Sequence, residues 1–167
     1  MPPDIGFRPV VPADEPMLAG WIAQPHWARW WGPAKEEAAT VHAHIADPEV
    51  GPFVFTLDGR DAGYIQWWRP DGAWEIPVEA PPATTRGIDM SIARTDDLGR
   101  GLGPSVLRSF VERLAAEGIT RFVIDPAPDN VAARRAYAKA GFVEVAHGTH
   151  MDGAYVLMVR DVPPVRR

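Results

Sequence analysis

The spacing of apolar positions changes several times along this 167-residue chain, and each change marks an element. Phe7 to Val11 alternates as a strand. Asp14 stands where a cap belongs, ahead of a helical stretch through Ala23, and Ala34 to Ala46 predicts a second helix. Residues 53–68, FVFTLDGRDAGYIQWW, place two apolar segments about Asp58-Gly59, the dipeptide of a tight hairpin turn. Residues 69–86, rich in Pro, Glu and Thr, predict a long loop, and GIDMSIA, 87–93, predicts a strand. Beyond a glycine-rich loop, Val106, Leu107, Phe110, Val111 and Leu114 share one helical face, with Gly118 placed to end the helix. RFVID, 121–125, predicts a strand. Asn130 caps a helix, VAARRAYAKA, that stops at Gly141, and FVEVA and AYVLMVR supply two final strands. The order implies one mixed α/β (α+β) domain over residues 1–167, built on a single central sheet.

Composition narrows the class. The chain is 46% hydrophobic and 23% charged, which is ordinary for a globular protein, and no apolar run approaches the ~20 residues of a membrane span. The opening residues lack a basic segment followed by an apolar one, so a cytoplasmic protein is expected, with no membrane partner. Cysteine is absent, which excludes disulfides, thiolate metal sites and cysteine nucleophiles. A net charge of −5 argues against a nucleic-acid surface and suits a cationic ligand. His42 and His44 face apart on a helix, and His147 and His150 lack a third ligand nearby, so no metal site is expected.

The most distinctive stretch is LGRGLGPS, residues 98–105, lying between a strand and a helix. Unpaired backbone N–H groups and the positive end of the helix dipole meet at such a turn, which makes it an anion site. A P-loop is excluded, since no Gly-Lys pair occurs in the chain. A dinucleotide fold would need G-x-G-x-x-G and further βα units. The pyrophosphate of coenzyme A is the third candidate. Its holders would be Leu98, Gly99, Arg100, Gly101, Leu102, Gly103, Pro104 and Ser105.

The loop resembles the acetyl-CoA loop of the GNAT acetyltransferase superfamily, Gln/Arg-x-x-Gly-x-Gly/Ala, through Gly101 and Gly103; Leu98 departs from its first position. Asn130, Ala133, Tyr137 and Gly141-Phe142 are similar to that superfamily's N-x-x-A-x-x-x-Y-x-x-x-G-F signature. The resemblance implies a mostly antiparallel central sheet flanked by helices, acetyl-CoA as cofactor, and Asn130, Ala133 and Tyr137 beside it. PHWARWWG near 25–32, RPDGAW at 69–74, RGID at 86–89, DPAPDN at 125–130 and HMDGAYVLMV at 150–159 look like the aminoglycoside 6′-N-acetyltransferases. This likeness runs from about Phe7 to Arg160. It implies that Trp31, Asp71, Trp74, Asp89, Asp125 and Asp152 line the acceptor site, with Asp89 the catalytic base and Tyr137 the acid. The loop from Asp71 to Asp89 is longer than in close family members, and Met90 stands where they tend to have Gln.

The chemistry agrees with that assignment. An alkyl ammonium attacks a thioester only after losing a proton, and a carboxylate at a strand end can hold the cation and accept that proton. Asp89 ends RGID beside the loop. Backbone N–H groups near Ser91 and Ile92 are placed to polarise the thioester carbonyl. Several fixed carboxylates suit a small polycationic amine, and Trp31 and Trp74 offer faces for sugar rings. The competing readings are a siderophore-type hydroxylysine N-acyltransferase, a protein or peptide N-acetyltransferase, and a non-catalytic acyl-CoA-binding module. Monomer and homodimer are both compatible with the sequence.

Overall fold

The computed structural model describes residues 1–70, 80–151 and 153–166. Among these the strands are β1 (Ile5–Pro9), β2 (Val50–Leu57), β3 (Arg60–Trp68), β4 (Thr85–Ile92), β5 (Arg121–Ile124), β6 (Val143–His150) and β7 (Gly153–Asp161). The helices are α1 (Glu15–Ile22), α2 (Pro25–Trp31), α3 (Ala34–Ile45), α4 (Leu102–Ala116) and α5 (Val131–Lys139). The sheet runs β1-β2-β3-β4-β5-β7-β6. β4 and β5 pair in parallel, whereas β1–β2, β5–β7 and β6–β7 are antiparallel. The mixed, mostly antiparallel sheet expected from the sequence is therefore observed. No helix among the described residues is long and apolar enough to cross a membrane.

Two differences from the expected elements have identifiable causes. Pro25–Trp31 forms the additional helix α2, with Pro25 at its first position and Gly32 at φ 102° closing it. β4 begins at Thr85 rather than at residue 87 because Thr85–Gly87 find partners in Arg121–Val123 of β5.

The chain divides into two compact units, Met1–Trp67 with Asp89–Arg100, and Trp68–Ile88 with Gly101–Arg167, the boundary falling inside β4. In the first unit, Val10, Leu18, Ile22, Trp27, Val41, Val54 and Tyr64 form the core. Each large apolar side chain there contributes about 1.5–3 kcal/mol relative to exposure. Asp58 and Gly59, at φ 50° and 78°, make the hairpin turn expected between β2 and β3. Asp14 occupies the N-cap position of α1 without donating its carboxylate to that role. Its oxygens instead accept from Arg8, at 2.9 and 3.0 Å, and from the Val11 N–H at 2.9 Å.

In the second unit α4 buries Val106, Leu107, Phe110, Val111 and Leu114, the face expected from its periodicity. Gly118, at φ 100°, closes the helix with Gly118 N to Ala115 O at 3.0 Å and Ile119 N to Leu114 O at 3.2 Å. Asn130 caps α5 by accepting from Ala133 N at 3.2 Å. Gly141, at φ 92°, closes that helix in the same way, with Phe142 N donating to Tyr137 O at 3.0 Å. Val123, Tyr155, Leu157 and Val159 pack together, with Trp68 and Ala146 against them.

Candidate active site

In the first unit, alternation along β3 puts Tyr64 and Gln66 on one face. Tyr64 is wholly buried and Gln66 is 6% exposed. A buried amide is costly unless its polar atoms are satisfied, and here both ends are engaged. Gln66 Nε2 donates to Asp89 Oδ2 at 2.9 Å. Its Oε1 accepts from the Tyr64 hydroxyl at 2.6 Å and lies 3.1 Å from His44 Nδ1. Since Oε1 has no proton to give, Nδ1 is the protonated ring nitrogen in that contact. Burial, reinforced by the negative charges of Asp89 and Glu37, pushes the Tyr64 phenol above its ordinary range, so it remains a hydroxyl donor. Trp31 meets Tyr64 edge-on at 6.1 Å and Trp27 at 5.4 Å. Trp31 and Asp89, both expected in the acceptor site, thus belong to one connected set of side chains.

Ser91 and Ile92 finish β4. The Ala93 N–H donates to Ala62 O at 2.9 Å, and the Ile92 carbonyl accepts from His26 Nε2 at 2.8 Å. The strand end is therefore fixed by β3 on one side and by α2 on the other. Beyond it Asp97 is 4% exposed. Arg60 Nη2 lies 3.1 Å from its carboxylate and Arg100 Nη1 3.6 Å. Two guanidiniums compensate this buried charge and tie the base of the glycine loop to β3.

The loop itself has the properties an anion needs. Gly99 and Gly101 adopt φ of 70° and 75°, a region that L side chains disfavour. Gly101 is the N-cap of α4, and no side chain caps that end. The first turn of α4 thus has N–H groups without a side-chain cap, and the residues present fit the pyrophosphate of acetyl-CoA. Ser105 Oγ turns back to the Gly101 carbonyl at 3.3 Å. Leu98 is 42% exposed.

In the second unit a Cβ on Gly103 would stand 4.0 Å from Ala136 Cβ, so α5 packs on the first turn of α4 and carries Tyr137, half-buried, on the next position. Pro104 is buried at that turn, and Leu102 is half-buried. Asp125, at the end of β5, lies 3.5 Å from His150 Nε2, and the His150 ring stacks on Tyr155 at 5.0 Å. Asp71, Trp74 and Asp152 lie outside the described residues. Among the described residues no three His, Asp or Glu side chains cluster as metal ligands. Gln66, His44 and Asp97 were not anticipated; the signals available were a Gln within the apolar run AGYIQWW and an Asp opening the loop.

A model of the GNAT acetyltransferase domain matches residues 11–150. The chain is 35% identical over 170 residues to an aminoglycoside N(6')-acetyltransferase type 1 of Klebsiella pneumoniae, with 93% of this chain and 82% of that protein aligned. It is 38% identical over 96 residues to a kanamycin resistance protein of Rhizobium radiobacter, covering 57% and 81% of the two. A crystal structure of aminoglycoside acetyltransferase AAC(6')-Ib with coenzyme A and kanamycin superposes with a TM-score of 0.83 at 32% identity, over 95% of each chain. The chain belongs to the GNAT acetyltransferases and, within them, to the aminoglycoside N(6')-acetyltransferase family, enzymes that draw on acetyl-CoA.

Proposed function

We propose that the chain acetylates the 6′-amino group of aminoglycosides, acting in the compartment that supplies acetyl-CoA, the cytoplasm. The observation that carries this reading is Asp89, whose carboxylate on β4 is aimed by a buried amide and linked through Tyr64 to the Trp31 ring. Acetyl-CoA supplies the activated acetyl group. Asp89 accepts a proton from the 6′-ammonium and leaves the amine its lone pair for attack. Backbone N–H groups at Ser91 and Ile92 polarise the carbonyl under attack. Tyr137 returns a proton to the departing thiolate. Trp31 holds a sugar face, and Asp125, with Asp71, Trp74 and Asp152, completes the set that pairs the remaining ammonium groups and rings of the acceptor. The α4 loop, Leu98–Ser105, together with Asn130 and Ala133, holds the cofactor.

Thiol release from acetyl-CoA, followed against kanamycin, a 6′-hydroxyl aminoglycoside, hydroxylysine and a lysine peptide, tests the proposal. Release with the 6′-amino compound, reduced about 10²- to 10⁴-fold in kcat/KM by Asp89→Asn, is expected. Release with hydroxylysine or peptide alone would overturn the acceptor, and no release with any compound would favour an acyl-CoA-binding module.

A further inference from the structure

Asp89 is not aimed by its own strand alone. Its Oδ2 receives a proton donor from Gln66, and Gln66 is in turn held from two further elements, by Tyr64 two residues earlier on β3 and by His44 on α3. The direction of the amide is fixed by its partners. A carboxylate oxygen accepts only, so the end facing Asp89 must be the NH2; the opposite end is then the carbonyl, to which the Tyr64 hydroxyl and His44 Nδ1–H donate. Flipping the amide would set its oxygen 2.9 Å from Asp89 Oδ2, replacing a hydrogen bond by repulsion between two acceptors. Gln66 therefore has one orientation, and it presents one proton donor to Asp89.

The set is also buried where it needs to be. Gln66 is 6% exposed and Tyr64 0%, beneath Trp27 and Trp31. Water cannot substitute freely for the amide, so the rotamer of Asp89 depends on it. An amide is suited to this position for a further reason. It orients a carboxylate without adding a full positive charge, whereas an arginine would hold the base ionised and oppose its accepting a proton. The charged or titratable groups that bear on this set are Asp89 itself, His44, and Glu37 on α3, whose charge is felt at Tyr64.

We infer that Gln66 is a positioning residue for the reaction, locked by Tyr64 and His44 so that its amide N–H fixes the Asp89 carboxylate for proton acceptance. This rests on Asp89 being the base. Gln66 touches neither acceptor nor cofactor in this role; it acts through Asp89.

The test uses the full chain with Gln66→Met, which keeps length and loses the donor. The expected result is a kcat/KM for kanamycin lowered about ten- to a hundredfold, with the KM for acetyl-CoA unchanged, because a hydrogen bond to a charged group at the reacting atom is removed. A second readout is independent of turnover. The carboxyl carbon resonance of Asp89, identified by its disappearance in Asp89→Asn, is titrated by NMR in wild type and variant. Its midpoint is expected at higher pH in Gln66→Met, since the donor favours the ionised form. A purely structural amide would leave that midpoint in place. A folded Gln66→Met with an unmoved midpoint, or with wild-type kcat/KM, overturns the inference while the Asp89 reading stands. Wild-type activity in Asp89→Asn overturns both. Should Gln66→Met fail to fold, Tyr64→Phe removes one of the two locks and keeps the ring; a displacement of the same sign but smaller supports the inference, and none overturns it.

Discussion

At Gly63 and Gly87 the backbone lies against aromatic rings: a Cβ on Gly63 would enter the Phe55 ring and stand 2.5 Å from the Ser91 carbonyl, and one on Gly87 would enter Trp68. At Gly99 and Gly101 nothing lies within 4 Å of the same position, yet both residues have positive φ. In the strands glycine removes volume so that a ring can roof the backbone; in the loop it removes a conformational restriction so that N–H groups can turn outward. β4 carries Asp89, and the loop offers no side-chain cap at the start of α4. Order in the strands is thus built from packing, and the shape of the loop from backbone conformation.

If that division holds, the largest effect belongs to the roofed glycines. Gly63→Ala and Gly87→Ala are each expected to cost about 3 kcal/mol, lowering Tm by roughly 6–12 °C in thermal unfolding. Asp97→Asn comes next, at about 2 kcal/mol after allowance for its two partly exposed arginines, whose side chains are 44% and 66% accessible. It is expected to raise the KM for acetyl-CoA as well, because it loosens the base of the loop; an acceptor KM raised instead would break the comparison. Gly101→Ala is expected to cost about 1–2 kcal/mol from φ alone and to weaken acetyl-CoA while leaving the acceptor KM in place. Tm lowered as far as in Gly87→Ala would show that the loop is packed after all.

The smallest effect involves neither a roofed glycine nor the loop and calibrates the scale. Arg8, and secondarily the Val11 N–H, hold the Asp14 carboxyl below its ordinary range against the opposing cost of burial. A carboxylate depressed in the folded state adds stability above the unfolded value of ~3.9 and loses it as pH falls through the folded one. Asp14→Asn is expected to cost about 1 kcal/mol at pH 7, a difference that closes below about pH 4, measured by urea unfolding at the two pH values. Asp61, which also binds Arg8 at 2.9 Å, keeps the effect small.

Period and punctuation made most of this fold readable: the Asp58-Gly59 turn, the α4 face, the Asn130 cap and both glycine closures stand where the pattern puts them. α2 was obscured because its seven residues include three tryptophans and a histidine, which mask any polar face, although Pro25 and Gly32 marked its ends. The start of β4 was not legible because Thr85 and Arg86 join the sheet through pairing with β5, a partner remote in sequence. The same limit applies to the candidate site. Asp89 and the glycine loop are local motifs and were legible. Gln66, His44 and Asp97 gain their meaning from residues 23, 22 and 37 positions away, and no local spacing encodes that.

Trp27 gives the first unit an optical signature. Its indole is wholly buried, with no hydrogen-bond partner for Nε1 among the described residues, and it lies 5.4 Å from Trp31 and 6.3 Å from Tyr64. An indole in so dry a setting emits at the blue edge of tryptophan fluorescence, and three tilted rings at these separations couple their transitions into near-ultraviolet circular dichroism. Light absorbed by Tyr64 passes to its neighbours, so the ring whose hydroxyl holds the Gln66 amide also reports whether that contact is made.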